Sequence, residues 1–376
     1  MAAMKLIVFA HVPPPHHGQS QMVQLMVDGF RSRPELGIEV LHVDARLSLG
    51  MSDVGSVRGG KVRALLGYCQ RALRLSIDQR CRTLYYIPSP PKRSSLYRDF
   101  LVMVLIRWRF NRVILHWHAV GLGAWLESEA RFWERWMAHA CLGRAERAIV
   151  LAASNRGDAE VLHPRSVAVV SNGIPDPCPD FADSLAKRRS EVAARSEIQV
   201  LFMAHCTRDK GLFGAVEAVV AANGTGGRTR RFRLTVAGSF LSGAEETEFR
   251  ERIRRPDALG CVEIAGFVSG VDKDRLLRRS DVFLFPTYFA NEGQPLNLIE
   301  ALAYGLPCVT TRWRSIPEYF AADYPGLCIP RDIPALAQAL HAVVDRVDGG
   351  ILRLEYERRF AVGPHLEALA SAIRQP

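Results

Sequence analysis

The chain has 376 residues, of which 48% are hydrophobic and 23% are charged, values that are ordinary for a globular protein and exclude global disorder. At roughly 100–200 residues per domain, a chain of this length is expected to form two domains. The formal net charge of +10 favours a polyanionic ligand, an anionic membrane or nucleic acid as a partner, and composition alone does not choose among the three.

The cysteines and the hydropathy of the sequence indicate the cellular compartment of the protein. The eight cysteines stand singly, without a C-x-x-C pair, which is typical of free thiols in a reducing compartment. The apolar run near the N-terminus is too short for a signal peptide. The longest continuous apolar run, 101–106, is far below the ~18 residues that a spanning helix needs. The sequence therefore predicts a cytoplasmic protein that does not cross a membrane.

Short apolar runs alternate with longer helical patterns along the whole chain, and this alternation predicts parallel sheets built from βαβ units, hence an α/β fold. Two sets of six strands fit two Rossmann-like domains better than one wide sheet. In the first half the expected strands are Lys5–His11, Ile38–Val43, Thr83–Ile87, Val113–His118, Ala148–Ala152 and Val167–Val170. In the second half they are Gln199–Ala204, Arg233–Ala237, Val262–Ala265, Val282–Phe285, Cys308–Thr311 and Leu327–Ile329.

The helical pattern over 61–77 is amphipathic. One face carries apolar side chains and the other basic ones: Val62, Leu65, Leu66, Cys69 and Leu73 against Lys61, Arg63, Arg71 and Arg74. A basic amphipathic helix can dock on anionic lipid. It can also simply cover a sheet, which is far commoner. Both interpretations stay open from the sequence.

A stretch that begins proline-rich and turns polar, 175–196, marks the expected boundary between the domains. We predict one domain over residues 1–183 and a second over 184–357. The last helical pattern, Pro364–Ile373, lies in a C-terminal segment, 358–376.

The segment with the most chemical information is 291–300, Asn-Glu-Gly-Gln-Pro-Leu-Asn-Leu-Ile-Glu. It follows the expected strand Val282–Phe285, and Pro295 stands where a first helical residue is favoured. Glu292 therefore falls in a loop and Glu300 in the first turns of a helix, so both can face the crevice where open α/β sheets bind ligands. The helix N-terminus favours an anion there. Two carboxylates beside an anion site suit the hydroxyls of a sugar and a ribose.

The spacing E-x7-E followed by A-x-A-x-G-x-P resembles the signature of family-4 retaining glycosyltransferases of the GT-B fold. Here it is formed by Glu292, Glu300, Ala301, Ala303, Gly305 and Pro307. Further segments resemble that family in the same order: Pro13–Gly18, Val170–Ile174, Phe202–Gly211, Val236–Gly238, Gly266–Val268 and Asp281–Pro286. The resemblance implies two Rossmann-like domains facing across a cleft, the first binding the acceptor and the second the nucleotide sugar. It also implies that the C-terminal helix packs back on the first domain.

The resemblance also implies residue roles. Glu292 would bind donor-sugar hydroxyls, Glu300 the ribose hydroxyls and Lys210 the diphosphate. Gly18 would let backbone approach the diphosphate, and His118 would lie beside the reacting carbon. The donor-binding set is Gly18, His205, Arg208, Lys210, Val268, Glu292, Gly293, Gln294, Pro295, Leu296 and Glu300, and the catalytic set is His118, Glu292 and Lys210.

The chain departs from the family at two positions. His205 stands where the family usually has an arginine, and Arg208 from the same loop is expected to complete the phosphate clamp with Lys210. An imidazole is largely neutral near pH 7, whereas a guanidinium has a planar fork that suits phosphate, so we predict a smaller part for His205. The residues Arg-Trp-Arg-Ser at 312–315 replace a glycine pair that is frequent in the family, which adds cationic contacts or reshapes the pocket.

His116 and His118 lie two residues apart and share one face of an expected strand. A metal site with His16 or His17 as the third ligand is one interpretation, and a buried histidine with a satisfied hydrogen bond is another. No carboxylate ligand is evident nearby, and the resembled enzymes are metal-free. We therefore predict no metal and no cofactor besides the donor substrate.

These observations predict retaining transfer of a sugar from a nucleotide-diphosphate donor to a glycan or lipid-linked acceptor, in cell-surface polysaccharide biosynthesis. Peripheral contact with an anionic membrane fits a basic chain with such an acceptor. A catalytically inactive sugar-nucleotide-binding protein is the main alternative. An NAD-dependent oxidoreductase is disfavoured because no G-x-G-x-x-G follows the first strand, and nucleic acid is disfavoured because basic and aromatic residues are not interleaved.

Overall fold

The structure is a computed structural model, and it describes residues 3–14, 18–46, 59–224 and 230–375. Within these ranges the strands form two sheets of six strands each, and every strand pair is parallel. Helices cover the faces of such sheets, so their strands are buried on both sides and read as nearly continuous apolar runs. The predicted α/β fold is confirmed.

The first sheet has the strand order β2-β1-β3-β4-β5-β6. Its strands are β1 Met4–Phe9, β2 Ile38–Val43, β3 Thr83–Tyr86, β4 Arg112–Trp117, β5 Arg147–Val150 and β6 Val167–Val169. The helices of this part are α1 Gly18–Ser32, α2 Gly59–Asp78, α3 Arg93–Ile106, α4 Leu122–Ser128, α5 Phe132–Leu142 and α6 Arg156–Glu160.

The second sheet has the order β12-β11-β10-β7-β8-β9. Its strands are β7 Glu197–Met203, β8 Arg231–Ala237, β9 Val262–Gly266, β10 Val282–Phe285, β11 Cys308–Thr311 and β12 Leu327–Cys328. The remaining helices are α7 Phe181–Ala194, α8 Leu212–Gly224, α9 Gly243–Ile253, α10 Gly270–Arg279, α11 Leu296–Ala303, α12 Ile333–Arg346, α13 Gly349–Arg359 and α14 Val362–Arg374. Short 3-10 helices span Pro34–Leu36, Arg107–Arg109, Ala153–Asn155 and Ile316–Tyr319.

Strand limits follow the predicted ones closely. The strands Ile38–Val43, Val282–Phe285 and Cys308–Thr311 have the predicted bounds, and the others differ by one or two residues at an end. Hydropathy marks burial rather than pairing, so polar residues that pair at the end of a strand are missed. Glu197 is one of these, because it extends β7 by pairing with Arg231.

The chain divides into two compact units. The first runs to Gly173 and resumes at Val362, and the second is Ile174–Ala361. The domain boundaries that the sequence predicted at 183 and 357 therefore lie at 173 and 361 in the structure. The residues just after Gly173 already pack in the second unit, since the Ile174 amide donates to the Phe360 carbonyl at 2.8 Å. Ile174 also forms a parallel β-bridge with Ala361.

Helix α14 is part of the first unit. Its residues Leu366, Leu369 and Ile373 lie in an apolar core that also contains the buried face of α1. The two helices meet closely at Gly29, where a Cβ atom would lie 2.5 Å from a methyl carbon of Leu366. A larger residue at this position would require the Leu366 side chain to shift.

Helix α2 packs on the first unit with a narrower apolar face than the sequence suggested. Leu65, Cys69 and Ala72 are buried, whereas Val62 and Leu66 are exposed. The helix therefore covers the sheet, as most amphipathic helices do, and leaves some apolar side chains in solvent near its start. None of the helices in the described ranges has the length and apolarity required to span a bilayer.

Candidate functional site

The second sheet has a point at which its strand order reverses. β8 and β9 follow β7 on one side, while β10, β11 and β12 lie on the other. The loops that leave β7 and β10 start at neighbouring carboxyl ends, which is the position of the crevice where open α/β sheets bind ligands. Lys210 lies in the loop after β7, and Glu292 lies in the loop after β10.

Lys210 and Glu292 form an ion pair across this crevice. The Lys210 Nζ lies 2.7 Å from Glu292 Oε2, and the two side chains are only 17% and 7% exposed. Thr287 donates its hydroxyl to the same carboxylate oxygen at 3.2 Å. The ammonium also lies 4.4 Å from the ring centre of Phe289. A buried carboxylate without such partners would be strongly unfavourable, so the pair stabilises the site in the absence of a ligand.

The backbone of the two loops is held together directly. The Tyr288 amide donates to the Asp209 carbonyl at 2.8 Å. Gly211 has a φ of +87°, and a Cβ atom there would lie 2.3 Å from the Pro286 carbonyl oxygen. Only glycine fits this approach, which explains the Lys-Gly pair that the sequence presents at the start of α8.

A third loop, after β11, braces the Glu292 loop. The Trp313 indole donates to the Phe289 carbonyl at 2.7 Å, and the Ser315 hydroxyl donates to the Gly293 carbonyl. Thr311 donates to the Thr287 carbonyl at 2.5 Å. These residues lie in and beside the segment that replaces the expected glycine pair. Their bracing role was not found from the sequence, because it depends on a contact between distant loops.

Helix α11 directs its N-terminus at the crevice. It begins at Leu296, with Pro295 in the N-cap position. The Asn297 side chain donates to the Met203 carbonyl at 2.7 Å, which ties the start of α11 to the end of β7. The predicted donor residues 293–296 therefore lie at the positive end of a helix, where an anion or a hydroxyl oxygen is favoured.

Glu300 pairs with Lys273, a residue outside the sequence motifs. Lys273 Nζ lies 2.5 Å from Glu300 Oε1. Lys273 is in the first turn of α10, which follows the loop containing Val268. Val268 packs on the apolar core of the second unit. Lys273 could have been identified from the sequence as a basic residue in a helix that starts at the carboxyl ends of the strands.

Arg208 and Lys210 have different partners in this structure. The Arg208 guanidinium lies 2.6 Å from Glu248 on α9 and 4.1 Å from the ring centre of Phe213. It lines a cavity of about 460 Å³ together with Tyr288 and residues of α8 and α12. The predicted clamp of Arg208 with Lys210 is thus not assembled in this structure.

His205 lies in the same loop with an exposed side chain. The surrounding protein still desolvates the imidazole and lowers its pKa, and the nearby charge of Lys210 lowers the pKa further. His205 is therefore neutral near pH 7 in this structure.

The predicted histidine of the first unit belongs to a buried cluster. His118 follows the last residue of β4, and its ring centre lies 4.3 Å from that of His116. The Tyr85 hydroxyl contacts His116 Nδ1, while the buried His116 Nε2 has no hydrogen-bond partner among the residues that the structure describes. Burial, and then the charge of His118, hold the pKa of His116 well below its usual range.

The predicted roles of Gly18 and of a third histidine ligand concern the start of α1 and the residues before it. Gly18 is the first residue of α1. His16 and His17, considered as a third metal ligand, lie outside the described residues, as does the rest of 15–17. Within the described part of the chain, no three His, Cys, Asp or Glu side chains are grouped as metal ligands.

Known proteins resemble this chain in sequence. The family described as "Glycosyl transferases group 1" matches residues 183–347. The amylovoran biosynthesis glycosyltransferase AmsK of Erwinia amylovora is 32% identical over 162 residues, which are 42% of this chain and 38% of that protein. The chain spans less than half the length of the curated relatives that it matches.

Solved structures resemble the chain over nearly its whole length. A glycosyltransferase from Rickettsia africae superimposes with a TM-score of 0.72 at 13% identity, covering 99% of this chain and 98% of that one. Anabaena Alr3699/HepE in complex with UDP and glucose superimposes with a TM-score of 0.67 at 15% identity, covering 98% of each chain. The chain therefore has the GT-B fold.

Proposed function

We propose that this protein is a glycosyltransferase that moves a sugar from a nucleoside diphosphate donor to an acceptor hydroxyl and retains the anomeric configuration. The observation that carries the proposal is the crevice of the second unit. Two ion pairs, Lys210 with Glu292 and Lys273 with Glu300, lie in it beside the N-terminus of α11. The match of this unit to the group 1 family supports the same reaction class.

The ion pairs supply the groups that a nucleotide sugar needs. When the donor binds, Glu292 accepts hydrogen bonds from the sugar hydroxyls and Glu300 from the ribose hydroxyls. Lys210 is then free to contact the diphosphate, where negative charge grows as the glycosidic bond breaks. Loop amides and the start of α11 add partial positive charge at the same place.

Retention follows from front-face substitution in this proposal. The acceptor hydroxyl attacks from the side of the leaving diphosphate while an oxocarbenium-like centre forms. Glu292 is engaged with Lys210 and Thr287, which suits a sugar-binding role better than that of a covalent nucleophile. We also propose that His118, from the first unit, lies beside the reacting carbon of the donor sugar.

Lys210 also bears on metal dependence. Its ammonium, with the loop amides and the start of α11, can stabilise the diphosphate without a divalent ion, and we propose that transfer needs none. A chelator should leave the rate unchanged. Loss of transfer with chelator and recovery with Mg²⁺ or Mn²⁺ would overturn this part of the proposal.

The acceptor is proposed as a glycan or a lipid-linked glycan in the synthesis of a cell-surface polysaccharide, with the enzyme acting in the cytoplasm. The relative AmsK carries amylovoran biosynthesis in its name, which supports this class of acceptor.

The proposal is tested with a panel of UDP and GDP sugars. A cognate nucleotide at 100 times its dissociation constant should stabilise the fold by ~2.7 kcal/mol in a thermal-shift measurement. The cognate donor should also release its nucleoside diphosphate, slowly with water and faster with acceptor. Binding without release or transfer would instead support an inactive sugar-nucleotide-binding protein, and no binding to any member would contradict both.

A further inference from the structure

Helix α3 exposes an apolar stripe to solvent. Tyr97, Leu101, Val104 and Trp108 follow one another at helical spacing from α3 into the 3-10 turn after it, and all four are exposed. Trp108 is the most exposed of them, at 72%. The opposite side of the same helix is buried in the core of the first unit, through residues such as Val102 and Ile106.

Helix α5 continues this stripe. Phe132, Trp133 and Trp136 are 84%, 37% and 64% exposed. The rings of Tyr97 and Trp133 lie 5.3 Å apart, centre to centre, so the two stripes form one surface. We call the seven residues Tyr97, Leu101, Val104, Trp108, Phe132, Trp133 and Trp136 the aromatic face.

The aromatic face is a contiguous group of exposed apolar side chains. Single apolar side chains on a surface are ordinary, but a contiguous apolar patch marks an interaction site. Here both sides of α3 are apolar, and core packing uses only one of them. Five of the seven residues of the aromatic face carry aromatic rings.

The charges around the aromatic face are mostly basic. Exposed or half-exposed cations stand beside it on α3 and α5 and at their ends: Lys92, Arg93, Arg98, Arg107, Arg109, Arg131 and Arg135. The acidic residues on these two helices, Asp99 and Glu134, are buried and form ion pairs with Arg98 and Arg93. The remaining cations are Lys92, Arg107, Arg109, Arg131 and Arg135. The exposed carboxylates closest in sequence are Glu127 and Glu129, which precede α5.

We propose that the aromatic face docks the protein on an anionic lipid bilayer. Tryptophan and tyrosine rings are favoured at the depth of the headgroups, and flanking arginines are attracted to acidic lipids. A second copy of the chain is the poorer occupant, because two copies meeting at this face would bring like charges together. The docking surface is thus α3 with α5, rather than the buried face of α2.

The test is co-sedimentation of the full chain with vesicles. Phosphatidylcholine vesicles containing phosphatidylglycerol should bind the protein, and vesicles of phosphatidylcholine alone should bind it less. The double variant Phe132→Ser/Trp136→Ser should lose roughly tenfold or more in partition to the acidic vesicles. Phe132→Ser alone should lose less and serves if the double variant fails to fold.

A control variant removes two exposed apolar side chains elsewhere in the protein. Ile351 and Leu354 on α13 are 63% and 64% exposed in the second unit, and Ile351→Ser/Leu354→Ser should bind vesicles like the unaltered chain. A charge arm, Lys92→Glu/Arg131→Glu, should weaken binding only to the acidic vesicles, and added salt should do the same.

Three results would overturn the proposal. They are absence of binding to acidic vesicles, equal loss in the aromatic and control variants, or a change of solution mass from dimer to monomer in the aromatic variant. No donor or acceptor enters this assay, so its outcome is independent of the proposed transfer reaction. Unchanged nucleotide stabilisation in the aromatic variant would show that the second unit is intact.

Discussion

Both units have helices packed on a parallel sheet, but they differ in where their charged, histidine and aromatic side chains lie. In the second unit the sheet reverses between its first and fourth strands, and the charged groups at the reversal are paired and largely buried. In the first unit the sheet reverses between its first and third strands, buried histidines lie in its core, and aromatic side chains lie on its surface. One layout thus supports a ligand crevice in one unit and a docking surface in the other.

Acid should unfold the first unit before the second. His365 is buried, donates to the Ser171 carbonyl at 2.6 Å, and has its pKa lowered by burial to about 4. An unfolded chain takes up the proton at about 6.5, so stability is lost as pH falls from about 6.5 to about 4 and levels off below. For this one histidine the loss is roughly 3 kcal/mol. His116 adds to it in the same direction.

Calorimetry between pH 7 and pH 4 measures this loss. The variant His365→Asn keeps a donor but cannot be charged, and it should flatten the acid dependence of the lower transition. If the two transitions fall together, or the variant titrates like the parent, the buried histidines are not what distinguishes the first unit.

Removing Lys210 should have the largest effect on transfer. Lys210→Ala takes away a charge-assisted contact to the leaving group and leaves Glu292 without its cation, so kcat should fall about ten- to hundredfold or more. The donor KM should change less, because the charge on the diphosphate peaks as the bond breaks. Lys187→Ala, at an exposed lysine of the same unit, is the control and should match the parent. A fall in donor affinity with unchanged kcat would contradict the assigned role.

The brace from Trp313 should have an intermediate effect. Trp313→Phe keeps an aromatic ring but removes the hydrogen bond to the Phe289 carbonyl, which is worth about 0.5–1.5 kcal/mol. We expect the donor KM to rise roughly two- to tenfold with a smaller change in kcat, since the residue positions the Glu292 loop without touching the donor. Steady-state kinetics with a melting curve separates this from a general loss of stability.

The smallest effects are expected at the two other candidate phosphate ligands. Arg208 must leave Glu248 to reach the diphosphate, so Arg208→Ala should cost less than Lys210→Ala. His205→Ala should cost least, because desolvation and the Lys210 charge keep the imidazole neutral. If His205→Ala were inactive and Arg208→Ala normal, the phosphate ligand would be His205 as imidazolium, with activity declining as pH rises.

The sequence predicted those features that depend on neighbours along the chain. Strands such as Val282–Phe285 are apolar runs between turn signals, and Glu292 is recognisable from its spacing to Glu300. Contacts between distant loops were not predictable in this way. The partners of Arg208 and the brace from Trp313 each join segments far apart in sequence, and no local pattern records them.

The aromatic face shows a second limit of sequence reasoning. Because residues 100–106 of α3 are apolar without interruption, the hydropathy of this stretch has no period that separates a buried from an exposed face. The sequence pointed instead to the more regular pattern of α2, whose apolar residues Leu65 and Cys69 are used by the core. Which face is left in solvent is decided by the packing of neighbouring helices.

The paired carboxylates of the second unit bear on how a catalytic cycle would close. A departing nucleoside diphosphate leaves behind the Lys210 ammonium, and Glu292 lies 2.7 Å from it as a counter-ion in this structure. Once the donor sugar has been transferred, Glu292 competes with the spent nucleotide for this cation, so the protein supplies its own displacing anion. We expect such an enzyme to shed its by-product readily and to be only weakly inhibited by it.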